Sequence, residues 1–232
     1  MYKKIKQGFI AVLPIVIGYF PIAIGFGLLS KNTGISFKGT SLHSIMVFAG
    51  ASQFMSLDLI KAGVGTGGII LATFLLNLRH IMMSASLSVN FKNIERKYLP
   101  LIAFGITDET FSVASFNKDK INLPFILTVN ILAYTSWVSG TIVGFLVGET
   151  LPKALQSSLD IGLYAMFAAL LFPEFNKHLR TFIIALLAAI IYMGLYYSEL
   201  FSPGWDIIIG IVLSAVLGTF VFKNKDTKEE KL

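Results

Sequence analysis

Six polar side chains in the first half of the chain carry the chemistry that can be read from it. Gln53 stands in Phe48-Ala-Gly-Ala-Ser-Gln-Phe. Asn77, Arg79 and His80 stand in Ala72-Thr-Phe-Leu-Leu-Asn-Leu-Arg-His, and Asp108 and Glu109 in Phe104-Gly-Ile-Thr-Asp-Glu-Thr-Phe. Each falls inside an apolar run long enough for a bilayer crossing, which takes about 20 residues at roughly 1.5 Å each. A fixed cation at that depth costs roughly 2.5–3.5 kcal/mol on insertion scales, and adjacent carboxylates are costly together. Arg79 therefore needs an anion, and Asp108, one segment later at similar depth, is the obvious one. A cation and anions in one volume suit a zwitterion, because Arg79 can take a carboxylate and Asp108 or Glu109 an ammonium. The candidate binding residues are thus Gln53, Asn77, Arg79, Asp108 and Glu109. His80, a side-chain type that titrates near neutral pH, and Asp108 are the candidates for proton coupling. The plainer alternative is that Arg79–Asp108 is a fixed structural pair and the other polar groups are interhelical contacts.

The elements that must position these residues are membrane helices. The 232 residues are 55% hydrophobic and only 14% charged, with a mean hydropathy of +0.74. A soluble domain carries about 25% charged residues. The fold class is an all-α integral membrane protein, a polytopic bundle of about 7–8 transmembrane helices, some broken or short. Apolar segments are expected at about 9–29, 42–60, 68–90, 98–116, 123–147, 159–173, 181–197 and 205–222. They form one membrane domain over 1–222, followed by a polar tail over 223–232. Pro14 and Pro21, with Gly18, Gly25 and Gly27 around them, predict a kink or break near Tyr19 to Pro21. Broken helices near the midplane are how many secondary transporters expose backbone to substrate. Segment 6 is short, starts near Asp160 and ends at Phe172-Pro173-Glu174, so seven spans is the alternative count.

Small residues recur every four positions at Ser136, Gly140, Gly144 and Gly148, and again at Gly210, Ser214 and Gly218. Each set lays a groove along one helix face, suited to a second membrane subunit or to internal packing. With the N-terminus inside, the inner segments carry twice as many Lys and Arg as the outer ones, which places both termini in the cytoplasm. The net charge of +6 is spread over short loops and tails, a membrane-topology pattern that does not call for nucleic acid. There are no cysteines, so no disulfide or thiolate metal site is expected. The chain also lacks G-x-S-x-G, H-E-x-x-H and G-x-x-x-x-G-K-[ST]. No enzyme, cofactor, metal site or ATPase is therefore expected in this chain, and its transport would be driven by gradients.

At these residues the chain resembles the AzlC-type branched-chain amino acid permeases. The resemblance rests on Pro14 to Leu29 with its Pro21–Gly25–Gly27 pattern, on the three polar blocks above, and loosely on Ala165-Met-Phe-Ala-Ala-Leu. It implies an exporter of leucine, isoleucine and valine in the bacterial cytoplasmic (inner) membrane. It also implies a partner, a small AzlD-type membrane subunit of about four helices. The alternatives are a non-transporting scaffold or assembly subunit, and an exporter of another small zwitterionic metabolite.

Overall fold

A computed structural model describes residues 2–92 and 94–154, single positions at 158, 161, 165, 168, 172 and 201, residues 179–198, and residues 209–210, 212–214 and 216–218. The expected segment 159–173 with Asp160, much of 205–222, and the tail 223–232 fall largely or wholly outside the described residues. The chain divides into two compact units, Met1–Leu57 with Leu76–Leu163, and Asp58–Leu75 with Tyr164–Leu232. Helices are α1 (Tyr2–Asn32), α2 (Phe37–Met46), α3 (Gly50–Lys61), α4 (Thr66–Ser88), α5 (Leu99–Phe104), α6 (Asp108–Phe116), α7 (Leu123–Val147) and α8 (Leu179–Ser198). Among the described residues there is no strand, and three helices are long and apolar enough to cross a membrane: α1, α4 and α7 with its extension to Thr150.

The long pair at the centre of the first unit is α1 and α7. On α1, Val12, Ile15, Tyr19, Ala23 and Phe26 are buried at three- and four-residue spacing, one stripe along the helix. The pair runs parallel: Gly8 faces Phe125 and Thr128, Gly140 faces Phe20 and Ala23, and Gly148 faces Leu28. A methyl group on Gly140 would stand 2.7 Å from the Phe20 carbonyl oxygen, and one on Gly144 would overlap the backbone of Ile24. The groove of Gly140, Gly144 and Gly148 is therefore filled by α1 of the same chain. In the second unit Gly210 lies against Tyr192 and Gly218 against Ile184, both on α8, while the Ser214 hydroxyl donates to the Gly210 carbonyl. These small-residue faces, too, are covered within the chain.

Of the kink or break expected near Tyr19 to Pro21, the break does not occur. Both prolines lie inside one uninterrupted helix. Each removes a single backbone bond, and α1 is braced against α7 on either side of Pro21, where the Ser136 hydroxyl donates to the Val16 carbonyl at 2.8 Å. The breaks lie instead in the second and fourth apolar segments, at Val47–Ala49 between α2 and α3 and at Gly105–Thr107 between α5 and α6.

The local sequence explains the second break. Thr107, extended at φ −122° and ψ 175°, caps α6 in a reciprocal box with Thr110, and Asp108 and Glu109 fill the first turn. Gly105 is required because a side chain there would overlap Asn130 of α7.

Helix α7 supports both breaks. The Asn130 amide donates to the Ile102 carbonyl and the Tyr134 hydroxyl to the Ile45 carbonyl, each at 3.0 Å. The Ile45 carbonyl lies in the last turn of α2, and the Ile102 carbonyl, near the end of α5, accepts the Gly105 N–H as well. Asn130 and Tyr134 are one turn apart, so one face of α7 closes both half-helices.

A broken helix followed by a long one thus occurs twice, as α2/α3–α4 and α5/α6–α7. Phe48, in the first break, and Phe104, the last residue of α5, lie with ring centroids 6.4 Å apart. Ser52 and Gln53 follow Phe48 at the same spacing as Asp108 and Glu109 follow Phe104.

The close approach of α1 and α7 makes a stability prediction. Gly144→Ala should lower the thermal midpoint in detergent, with an overpacking cost of about 1–3 kcal/mol. Gly18→Ala, where an added methyl meets open space, should hold or raise it. Equal midpoints for both variants would contradict the packing described here.

Candidate functional site

The two breaks bring the matched polar pairs into the first unit with different chemistry on each side. On the α3 side, the Asn77 amide of α4 donates to the Ser52 hydroxyl at 3.0 Å. Gln53 is fully buried. Its Oε1 accepts from the Trp137 indole at 2.8 Å, and its Nε2 donates to the Ser44 hydroxyl at 3.4 Å. Ser44 in turn bonds Thr141 at 2.7 Å. All of this is neutral and closed, so Gln53 belongs to the frame of the site.

On the α6 side the same positions are charged. Arg79 of α4 meets Asp108 at 3.0 Å, with side chains 35% and 28% exposed. Glu109 accepts a hydrogen bond from the Tyr19 hydroxyl, which also bonds Thr107 Oγ1 at 2.7 Å. Both carboxylates sit in the first turn of α6, where the helix dipole favours negative charge by about 0.3–1 kcal/mol each. Tyr19 and Trp137 meet edge to face at 5.3 Å between centroids, joining the two sides.

Helix α4 contributes to both sides and leaves two atoms over. Asn77 Oδ1 and Arg79 Nε are buried without a hydrogen-bond partner. One is an acceptor lacking a donor, the other a donor lacking an acceptor, two residues apart on one helix. Such orphaned groups are costly in a closed protein and mark a place that a ligand can complete.

Of the residues singled out from sequence, Arg79, Asp108, Glu109 and Asn77 gather around the breaks with unspent bonding capacity. His80 is half-buried and makes no hydrogen bond among the described residues. Sequence reasoning missed Tyr19 as the donor to Glu109, Trp137 as the donor to Gln53, and Thr107 as the cap. The Thr107-x-x-Thr110 spacing after Gly105 was the available signal for the cap; nothing in spacing pointed to the two aromatic donors. Among the described residues no three His, Cys, Asp or Glu side chains gather as a metal ion would need.

The closed side gives a prediction of its own. Trp137→Phe removes the donor to a buried amide oxygen and should cost roughly 1–3 kcal/mol. Adding Gln53→Leu to that variant should recover part of the loss, since an apolar pair leaves nothing unpaired. A thermal-unfolding double-mutant cycle measures this, and strict additivity would rule the coupling out.

Comparison with known proteins bears on the same region. Residues 14–151 match the family model described as AzlC protein, which covers both breaks and α7. An uncharacterized membrane protein of Archaeoglobus fulgidus is 33% identical, with 87% of this chain and 94% of that protein aligned. The inner membrane protein YgaZ of Escherichia coli is 30% identical over 90% of this chain and 88% of its own length. The branched-chain amino acid transport protein AzlC of Bacillus subtilis is 23% identical over 100% of this chain and 90% of its own. No solved structure matches.

Proposed function

The chain belongs to the AzlC family, and on that premise we propose that it is a secondary exporter of branched-chain amino acids. The observation that carries the substrate class is the half-exposed Arg79–Asp108 pair, with Arg79 Nε left without an acceptor. The carboxylate of a zwitterion supplies that acceptor. The Arg79–Asp108 pair then opens by exchange of partners, the substrate carboxylate on Arg79 and the ammonium on Asp108. No net charge is created, so a midplane site can make the exchange without a large electrostatic penalty. The name of the Bacillus subtilis relative supports leucine, isoleucine and valine as the cargo.

The remaining parts of this reading follow from sequence and family. The protein works in the cytoplasmic membrane with both termini inside, together with a small AzlD-type subunit. It is a carrier and not an enzyme, and it is driven by the proton gradient or by exchange, since the sequence has no P-loop for ATP.

The test is efflux of radiolabelled leucine, isoleucine and valine from preloaded cells with the partner present. Arg79→Gln should abolish efflux while the protein is inserted at wild-type level; unchanged efflux removes Arg79 from the site. The closed ion pair also suits a purely structural role in a scaffold subunit. The swap Arg79→Asp with Asp108→Arg separates the two: restored folding with dead export supports the binding site, and restored export supports the structural pair.

A further inference from the structure

The geometry points to Glu109 as the residue that carries the coupling proton, an assignment that rests on the transport reading above. The charges around the second break do not balance. Arg79 is paired with Asp108, whereas Glu109 has no cation partner among the described residues. The group that faces it directly is the Tyr19 hydroxyl of α1; Asp108 stands beside it in the chain and holds Arg79 of α4, with His80 next to Arg79. When a zwitterion takes over Arg79 and Asp108, its two charges are matched and Glu109 is still left without a counter-ion. Glu109 is thus the carboxylate of the site that no cation among the described residues holds. His80, which makes no hydrogen bond, and Asp108, already held by Arg79, lack that position.

The chain contains its own control for the neutral form. Gln53 follows Phe48 at the spacing at which Glu109 follows Phe104, and it too is bonded by a ring donor from a long helix, Trp137 there and Tyr19 here. An amide is close in shape to a protonated carboxyl group, and Gln53 shows such a group held by a ring donor just after a break. The Tyr19 hydroxyl has two partners and serves both states. It donates to Glu109 when the carboxylate is charged, and it can donate to Thr107 when Glu109 carries the proton and itself becomes a donor. Thr107 is the cap of α6 and its Oγ1 accepts from the Thr110 amide at 3.3 Å, so the proton on Glu109 is felt at the break itself. One proton binds the Glu109 carboxylate from one face of the membrane and leaves to the other.

The test uses the full chain in membrane vesicles and compares two modes of radiolabelled leucine movement. Wild type should show both counterflow exchange and accumulation driven by an imposed pH gradient. Glu109→Gln should lose the pH-driven accumulation, and Glu109→Asp, which can still carry a proton, should retain it. Accumulation that persists in Glu109→Gln overturns the assignment, as does wild-type accumulation that follows a sodium gradient and ignores pH. Loss of both modes in a Glu109→Asp variant that still elutes as a sharp peak in detergent places Glu109 in the substrate site and also overturns it. If Glu109→Gln fails to insert, Tyr19→Phe decides: a shifted pH profile of accumulation with counterflow intact supports the role, and an unchanged profile rejects it. Absence of counterflow in the wild type defeats the transport reading itself, and this assignment with it.

Discussion

Backbone left open at membrane depth governs this structure. A helix that stops at Val47 or Gly105 strands carbonyls and amides where no water completes them, and each unpaired group costs several kcal/mol in a lipid environment. The polar inventory of the first unit answers that demand group by group. Tyr134 takes the carbonyl of Ile45 and Thr110 that of Gly105, while Asn130 and Ser52 add a second donor to the carbonyls of Ile102 and Ala49, which the Gly105 and Gln53 amides already reach. The Thr107–Thr110 box then starts the next half-helix. Once these bonds are made, α2/α3 and α5/α6 are fixed against α7, and α7 is fixed against α1 by glycines that bring backbone to backbone. The charged side chains make none of these bonds.

That separation explains why the two sides differ in chemistry while sharing a plan. Ser52 with Gln53 and Asp108 with Glu109 each reach α4 with the first residue and an aromatic donor with the second. The α3 side spends every Gln53 polar atom on neighbours and is rigid. The α6 side combines an ion pair, a carboxylate without a cation and an arginine with a donor to spare. One side acts as a fixed wall, the other as the part whose bonds can be exchanged.

Much of this was legible in the sequence because lipid leaves few choices. Hydropathy located the long helices, and the cost of a buried cation was enough to pair Arg79 with Asp108, which the structure holds at 3.0 Å. The place of the breaks was misread because proline is the loudest signal of helix disruption. Pro14 and Pro21 each remove one bond from a helix that a neighbour braces, whereas Gly105 and Thr107 combine a stop with a start, which ends a helix outright. Tyr19 and Trp137 were illegible because an aromatic in a membrane helix is ordinary. Only the three-dimensional meeting of α1 with α6, and of α7 with α3, gives their polar atoms a purpose.

The parallel pairing of α1 with α7 also bears on how the chain is made. Two parallel neighbours require an odd number of crossings between them, so the partner of the first helix cannot be its successor. When α1 leaves the ribosome, its small-residue face at Gly8, Ala23 and Gly27 has nothing to close on. Its match at Thr128 to Gly148 is synthesised only after both broken helices. During that interval α2/α3 and α5/α6 enter the bilayer without the helix that supplies Asn130 and Tyr134 to them. Arrival of α7 therefore closes the small-residue face of α1 and the ends of both half-helices together.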